Sequence, residues 1–423
     1  MFAGPSQRRR MVVAAVSASL LWGVTVSPVH ADSPDNPWYA TTYRLQEIWE
    51  LTRGEGVTVA VIDSGVNSSM PELEGQVLEG VDLTRDPDGP HVDEDGHGTG
   101  MASLIAGTGE QGGVRGLAPG VKILPIRVGQ RNGQPDFGRQ ERMGQAIQYA
   151  VDEGARVINI SQAAVEIGQE EAVDAALEAA ARADVLIFAG TGNEGDTRNR
   201  SMYPANRYGV VGVAAVDRNG ERSPYSTYGR QVAIAAPADE IPWRCPDLSG
   251  PVCLDPQGGT STATALASAS AALIWAAHPD WTKNQVLRVM METAQRDDSY
   301  ERDDYIGHGM IRPDRVILDG EGDPGDPRRN PLFAGYEATL DPPPSPRPAA
   351  PDDAAGEAGA AGAQDQEPAR DEEEEARQAV GLTGGGGSTG PVVLAGLLGV
   401  VLVGGVAAVV VQRRRAATDV HSR

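Results

Sequence analysis

The stretch VTVAVIDSGV, residues 57–66, decides the fold of this 423-residue chain. Its apolar part, VTVAVI, follows Gly56 and is uninterrupted, which is typical of a parallel strand that is covered on both faces. Asp63 then falls at the carboxyl end of the predicted strand. Similar short apolar runs recur along the chain, at 121–128, 156–160, 184–189, 210–216 and 232–236.

Stretches compatible with helices separate several of these runs, including 140–153 and 170–183. Strands that alternate with helices predict an α/β fold, here a doubly wound, mostly parallel sheet flanked by helices. In such sheets ligands bind outside the carboxyl ends of the strands. We therefore expect Asp63 to lie at the functional edge of the molecule.

Two motifs further along the chain carry a histidine and a serine at the start of predicted helices. DGHGTG, residues 95–100, places His97 before an apolar-patterned segment, and GGTSTA, residues 258–263, places Ser261 before an alanine-rich one. A serine hydroxyl is a weak nucleophile at neutral pH, so it requires a base within reach and a carboxylate that orients the base. Asp63, His97 and Ser261 supply these three groups and predict the catalytic triad of a serine hydrolase.

A fourth motif, GTGNEG at residues 190–195, indicates how negative charge formed in the reaction is stabilised. Attack on an amide creates an oxyanion, and preorganised hydrogen-bond donors aimed at it supply a large part of catalysis. Asn193 follows a predicted strand in this motif, and the backbone N–H of Ser261 lies at a predicted helix N-terminus. We predict that these two groups form an oxyanion hole.

The motifs around Asp63, His97 and Ser261, in that chain order, resemble those of the subtilisin-like serine proteases, the subtilases. The resemblance covers roughly residues 54–318, and we assign 54–320 to a subtilisin-like peptidase domain. It implies a serine endopeptidase that cleaves protein or peptide substrates through an acyl-enzyme.

The segment INIS, residues 158–161, resembles the subtilase strand beside which an extended substrate adds its own backbone. The resemblance implies that Ser161, Gln162 and Gly190 contact the substrate. Gln162 and Ala163 depart from the glycine-containing pattern that usually follows this strand. The sequence therefore leaves substrate specificity open.

Two further departures surround the predicted nucleophile. Thr262 stands where the family usually has a larger apolar residue, and Ala265 stands where a proline is usual; both bear on helix packing or substrate access.

The resemblance implies no cofactor. Calcium sites are common in the family, but Glu94 and Asp95 are interpreted as loop acids, so no metal site is predicted.

The N-terminus has the organisation of an export signal. The arginines at 8–10 precede an apolar stretch at 11–26, and Val-His-Ala at 29–31 is a small-x-small cleavage site. We predict a signal peptide at 1–31 and a short N-terminal strap at 32–53. The alternative is an uncleaved membrane anchor, for which the apolar run is short.

Residues 391–411 form an uncharged stretch of 21 residues near the C-terminus. As a helix it would reach roughly 30 Å, the thickness of a bilayer core. The arginines at 413–415 follow at once, and positive charge marks the cytoplasmic side. We predict a single transmembrane helix, with the peptidase domain extracytoplasmic and a cytoplasmic tail at 412–423; the alternative is a buried core helix.

Residues 321–390 are rich in Pro, Gly, Ala and acid, with 15 acidic residues against 5 arginines, a net charge of −10 out of −23 for the chain. Such a composition predicts a solvated linker, or alternatively a docking tail, rather than a packed core. The rest of the chain is only modestly acidic, and nothing basic or aromatic-rich indicates a nucleic-acid partner.

The chain has two cysteines, Cys245 and Cys253. An exported protein meets conditions in which a disulfide persists, so we predict that the two are paired; two free thiols are the alternative. The entropic model gives about 2.5 kcal/mol for closing so short a loop. The bond would brace the segment that enters Ser261.

The short segment before the first strand, the Pro-rich linker, the C-terminal span and the lone cysteine pair together resemble the mycosins, the membrane-anchored subtilases of bacterial type VII secretion systems. The resemblance implies residence at the outer face of the cell membrane, association with the secretion complex and processing of a few secreted proteins. The competing hypothesis is a structural component that holds the complex together, with proteolysis secondary or lost.

Overall fold

The computed structural model describes the peptidase region and parts of its flanks. The described residues are Met1 and 37–129, 139–164, 171–245, 250, 252–255, 257–296 and 301–340. Apart from Met1, the predicted signal peptide lies outside them, as do the predicted transmembrane helix and the cytoplasmic tail. Among the helices of the described residues, none combines the length and apolarity that crossing a bilayer requires.

A seven-stranded parallel sheet forms the centre of the fold. Its strands are β1 Thr58–Asp63, β2 Val81–Asp82, β3 Lys122–Arg127, β4 Val157–Ile160, β5 Leu186–Gly190, β6 Val210–Val216 and β7 Val232–Pro237. They lie in the order β2-β3-β1-β4-β5-β6-β7, and all neighbouring pairs are parallel. The α/β fold and a strand at each apolar run are confirmed, whereas β2 carries no apolar run that predicts it.

Helices cover both faces of this sheet. The alternation within β1 shows the two sides: Val59 and Val61 join one hydrophobic cluster, and Ala60 and Ile62 join the other. The first cluster includes α3, His97–Ala106, and α6, Thr260–Ala277, while the second includes α4, Arg139–Asp152, and α5, Glu171–Arg182. Burial on both faces explains why these strands are apolar throughout.

Helix α6 runs through the core. Every residue from Thr262 to Trp275 is buried, and most are Ala or Ser. Small side chains allow this helix to lie close to the sheet, where it contacts β1 and β4 to β7. The first turn of α6 is thereby fixed near the carboxyl ends of the strands.

The order of the strands reverses beside β1, because β3 lies on one side of it and β4 on the other. Such a switch point leaves a crevice at the carboxyl ends of the strands. Asp63 is the last residue of β1 and lies at this crevice.

Part of the predicted strap packs on the domain as two short helices, α1 Trp38–Thr42 and α2 Leu45–Leu51. Tyr39, Tyr43 and Ile48 are buried in the same cluster as α3 and α6. The strap is therefore a component of the core, and residues 32–36 lie outside the described part.

Residues 321–340, which composition assigns to the linker, include three buried side chains. Asn330, Glu337 and Leu340 are buried, and the Asn330 amide donates to Glu337 Oε1 at 2.8 Å. Lys283 forms an ion pair with the same carboxylate. These few side chains anchor an otherwise largely exposed acidic, Pro-rich segment, and an average composition does not reveal them.

This C-terminal part of the fold contains α7 Lys283–Glu292, α8 Pro313–Ile317 and α9 Ala334–Glu337. The rest of the predicted linker, from residue 341 on, lies outside the described residues.

A small hairpin joins the sheet to the segment before α6. It consists of β8, Ile241–Trp243, and β9, Cys253–Asp255, which pair antiparallel. Cys245 and Cys253 form a disulfide, which confirms the predicted pairing. Trp243 packs against Gly100 of α3 so closely that a Cβ there would lie 2.7 Å from the indole. The hairpin therefore connects the segment leading to Ser261 with the helix that begins at His97.

Candidate active site

A buried acid–imidazole pair lies at the carboxyl end of β1. His97 is the first residue of α3, and its Nδ1 lies 2.8 Å from Oδ1 of Asp63. Asp63 is fully buried and His97 is 7% exposed. Gly98 permits this approach, since a Cβ there would lie 2.1 Å from the carbonyl oxygen of Gly65. The predicted Asp–His contact is therefore present.

The Asp63 carboxylate is held in its charged form. Burial alone would raise its pKa, but the positive charge of His97 and the hydrogen bonds from His97, Ser64 and Gln162 hold the pKa below its usual range. The Ser64 N–H donates to Oδ1 at 2.8 Å and Gln162 Nε2 donates to it at 3.3 Å. A carboxylate ionised in this way fixes the orientation of an imidazole and stabilises its protonated form.

Asp93 positions the start of α3, a role that the sequence analysis did not identify. Its two oxygens accept hydrogen bonds from the backbone N–H groups of Gly96 and Thr99, at 2.9 and 2.8 Å, and from the Ser64 and Thr99 hydroxyls, at 2.8 and 2.5 Å. The signal available in the sequence was an acid shortly before a helix start, which is typical of a capping residue.

Ser261 is the second residue of α6 and faces a cavity of about 300 Å³ that His97 also lines. Its hydroxyl donates to the Ser161 carbonyl at 3.0 Å, and the Ser161 hydroxyl donates to the Ser261 carbonyl at 3.1 Å. A turn about one side-chain bond redirects the Ser261 hydroxyl, and such motion in side chains is fast. The structure thus brings the predicted nucleophile and base to one cavity.

Asn193 lies at the rim of this cavity with its amide orientation fixed. Its Oδ1 accepts from the backbone N–H of Thr260 at 2.9 Å and from the Thr260 hydroxyl at 3.0 Å. Because a backbone N–H can only donate, the Asn193 atom that faces it is the amide oxygen, and the amide NH2 is the group that remains to donate. Thr260 had no predicted role, and only the folded chain reveals it.

The residues expected to contact a substrate also lie at this cavity, since Ser161, Gln162 and Gly190 all line it. Among the described histidines only His97 lines it, whereas His91, His278 and His308 do not. Within the described residues no group of three acidic, histidine or cysteine side chains is placed to hold a metal ion. The arrangement contains the groups that acyl transfer to a serine requires.

This fold and this set of side chains define a class of serine hydrolase, and comparison with known sequences identifies the family. Residues 54–309 match the Subtilase family, and the chain belongs to it: the protein is a subtilase serine endopeptidase. It is 34% identical to thermitase of Thermoactinomyces vulgaris over 218 residues, which cover 49% of this chain and 75% of thermitase.

The solved structures that resemble it include mycosins. MycP1 from Mycobacterium smegmatis is 29% identical with a TM-score of 0.62, over 72% of this chain and 89% of MycP1. MycP3 of the type VII secretion system ESX-3 is 33% identical with a TM-score of 0.58, over 68% and 88%. A chain of the periplasmic assembly of the ESX-5 inner membrane complex is 28% identical with a TM-score of 0.58, over 71% and 88%.

Proposed function

We propose that this protein is a membrane-anchored, extracytoplasmic serine endopeptidase that processes substrates of a type VII secretion system. The observation that carries the catalytic part is the buried Asp63–His97 pair at 2.8 Å, whose histidine lines the same cavity as Ser261. The resemblance to mycosins supports the secretion context.

In the proposed mechanism His97 removes the proton of Ser261 as the hydroxyl oxygen attacks the carbonyl carbon of the scissile bond. The imidazolium that forms is stabilised by the Asp63 carboxylate. The amide NH2 of Asn193 and the backbone N–H of Ser261 donate to the oxyanion. His97 then protonates the leaving amine, and water hydrolyses the acyl-enzyme by the same route.

The proposed location rests on the sequence beyond the described residues. The uncharged stretch at 391–411, followed by arginines at 413–415, supports a single span with the peptidase domain outside the cytoplasm. The similarity to a chain in the periplasmic assembly of ESX-5 is consistent with this orientation.

A fluorophosphonate probe tests the catalytic proposal directly. We expect it to label the purified protein, and we expect Ser261→Ala to abolish labelling because the attacking oxygen is removed. His97→Ala should slow labelling by several orders of magnitude while the serine remains. A protein that folds normally, as judged by circular dichroism, but does not react with the probe would contradict the proposal.

The alternative is a structural component of the secretion complex, in which proteolysis is secondary or lost. The similarity to a chain of an assembled complex supports this alternative. Cells that carry Ser261→Ala distinguish the two roles. If substrate processing stops in these cells while export continues, proteolysis is the main role. If processing and export are both unchanged, and only deletion of the gene blocks export, scaffolding is the main role.

A further inference from the structure

A chain of buried hydrogen bonds connects the middle of α6 with its first turn, which carries Ser261. We propose that Asn159 and Ser268 are positioning residues, which act through the Ser161 hydroxyl to hold this first turn where Ser261 can react. This inference rests on the proposed function. It adds to it two residues that do not line the active-site cavity.

Asn159 is a polar residue in the buried interior of the sheet. It lies in β4, where its neighbours Val157, Ile158 and Ile160 are all apolar, and it is 0% exposed. Val157, on the same side of the strand, belongs to the hydrophobic cluster that includes α6. A buried amide destabilises the fold unless its groups are hydrogen-bonded, so the partners of Asn159 explain why it is tolerated there.

Three side-chain hydrogen bonds join β4 to α6 at two points. Ser268 Oγ donates to Asn159 Oδ1 at 3.1 Å, and Asn159 Nδ2 donates to Ser161 Oγ at 3.0 Å. The Ser161 hydroxyl then donates to the carbonyl oxygen of Ser261 at 3.1 Å. The chain of bonds therefore leaves α6 at Ser268 and returns to it about two turns earlier, at Ser261.

The direction of every bond in this chain is fixed by its last acceptor. A backbone carbonyl can only accept, so the one proton of the Ser161 hydroxyl is used at Ser261. Toward Asn159 that hydroxyl can only accept, which places the amide NH2 on its side and the amide oxygen toward Ser268. The Ser268 hydroxyl must then donate. Removal of one hydroxyl therefore leaves the next group without its partner.

Helix α6 depends on such directional contacts because its buried side chains are small. Most residues from 262 to 275 are Ala or Ser, and side chains of this size interlock less with a sheet than large ones do. A shift of a reacting atom by about 1 Å can slow an enzyme about 10²-fold. We therefore expect the position of the first turn to affect the rate of attack.

The bond to the Ser261 carbonyl is also the contact that persists during the reaction. The Ser261 hydroxyl donates to the Ser161 carbonyl at 3.0 Å, and it gives up this bond when it turns toward His97. The bond from the Ser161 hydroxyl to the Ser261 carbonyl involves other atoms and is kept. Asn159 and Ser268 orient the hydroxyl that makes this second bond.

A double-mutant cycle tests the inference on the full-length protein. We would measure the second-order rate of labelling by a small fluorophosphonate for the native chain, Ser161→Ala, Ser268→Ala and the double variant. Ser268→Ala should slow labelling about three- to tenfold, the range expected for one lost hydrogen bond. The double variant should be no slower than Ser161→Ala, because Ser268 acts only through Ser161.

Ser270→Ala is the matched control. Ser270 lies in the same helix and is 0% exposed, but its hydroxyl makes no hydrogen bond within the described residues. We expect it to be labelled at the native rate. In a peptide-cleavage assay Ser268→Ala should lower kcat and change KM less than about twofold, since it does not line the cavity. A merely structural role would lower Tm and leave kcat at 25 °C unchanged.

The outcomes separate this inference from the proposed function. If the fluorophosphonate fails to label the native protein, the proposed function is contradicted and the inference falls with it. Three results would overturn the inference alone while the native protein reacts normally. These are equal rates for Ser268→Ala and Ser270→Ala, effects of Ser161→Ala and Ser268→Ala that multiply in the double variant, and a rise in KM without a fall in kcat for Ser268→Ala.

Discussion

At the scale of single residues, Gln162 has a role beyond the predicted contact with substrate. Its Nε2 is one of three donors to Oδ1 of Asp63, the carboxylate of the proposed triad. Removal of one such hydrogen bond costs about 1 kcal/mol, which corresponds to roughly fivefold in rate. We therefore expect Gln162→Met to lower kcat/KM about three- to tenfold in a peptide-cleavage assay.

A charged substitution at the same position is the comparison that distinguishes the hydrogen bond from side-chain volume. Gln162→Glu has the same shape but places a second carboxyl beside Asp63, and like charges disfavour ionisation of both. The loss of kcat/KM in Gln162→Glu, relative to the native protein, should exceed the loss in Gln162→Met. Equal activity of the two variants would refute this role.

Asn193 offers a second test at this scale, since its contact with Thr260 and its proposed oxyanion role use different atoms. Asn193→Asp keeps the acceptor for the Thr260 N–H but removes the donor NH2, whereas Asn193→Leu removes both. Loss of one oxyanion donor costs ~10²–10³ in kcat in subtilisin. We expect a comparable fall in kcat for both variants, little change in KM, and a lower Tm only for Asn193→Leu.

The sequence was sufficient for residues whose chemistry is carried by a local motif. Asp63, His97, Ser261 and Asn193 could each be proposed as site residues from a few flanking residues and their order, and the structure places the first three at one crevice. Other residues depend on contacts across the fold. Gln162, for example, donates to Asp63 although the two residues are 99 positions apart along the chain.

At the scale of elements, the turn before α6 is held by a hydrogen-bond chain. The Tyr225 hydroxyl accepts from the Gly259 N–H at 3.1 Å and donates to Asp239 Oδ1 at 2.5 Å. Trp38 of α1 donates its indole N–H to the Asp239 carbonyl at 3.0 Å. The N-terminal strap is thus connected to the turn that presents Ser261.

We expect Tyr225→Phe to disturb this turn. The variant removes one of the two acceptors of the buried Gly259 N–H, since the Gln257 carbonyl remains, and it also removes the donor to Asp239; the loss of such a hydrogen bond costs about 1 kcal/mol. Because Gly259 is the N-cap of α6, kcat should fall more than KM rises, and Tm should fall by several degrees. Steady-state kinetics and thermal unfolding measure both effects.

Tyr228→Phe is the matched control for this prediction. It also removes a phenolic hydroxyl from the same loop, but the Tyr228 hydroxyl makes no hydrogen bond within the described residues, and its ring contacts Arg222 and Tyr305. We expect near-native kinetics. If both variants behave alike, the Tyr225–Gly259 bond has no special part in presenting the nucleophile.

The elements that the sequence predicted are those whose burial is uniform. Strands β1 and β3 to β7 are covered on both faces, so apolar runs marked them, and α6 was marked by its alanines. The hairpin of β8 and β9 is held by the disulfide and by packing on α3, neither of which leaves a periodic pattern. Short elements fixed by tertiary contacts cannot be found from periodicity.

At the scale of the whole molecule, two histidines make stability depend on pH. Burial lowers the pKa of His278. Burial is also the largest cause that lowers the pKa of His308, and the positive charges of Arg302 and Arg296 lower it further. The unfolded chain, with histidine pKa values of about 6.5, then binds more protons than the folded one below that pH. The stability that these two histidines contribute is fully present above about pH 6.5. It is lost as pH falls from there through their lowered folded-state pKa values.

The measurement is the free energy of unfolding by urea between pH 7.5 and 5. We expect a decline on acidification that His308→Gln makes shallower, because glutamine does not titrate. The native and variant curves should differ in slope only below about pH 6.5. Parallel curves over the whole range would show that His308 does not contribute.

The boundary of the folded unit leads to a prediction about anchoring. Within the described residues the Lys283–Glu337 ion pair and the Asn330–Glu337 hydrogen bond attach the segment 321–340 to the domain. The proposed span at 391–411 comes later in the sequence. A chain ended after residue 340 should keep its stability and its reaction with a fluorophosphonate, yet leave the membrane fraction.

A chain ended after residue 320 provides the contrast, because it leaves the buried Lys283 without its carboxylate. An uncompensated buried charge costs about 3–5 kcal/mol, so this shorter chain should unfold at a clearly lower temperature. Lys283→Met in the chain that ends at 320 removes this unpaired charge and should recover part of the lost stability. Membrane association of the chain ended at 340 would show that the anchor does not lie at 391–411, and equal stability of the two truncated chains would show that the segment 321–340 does not support the fold.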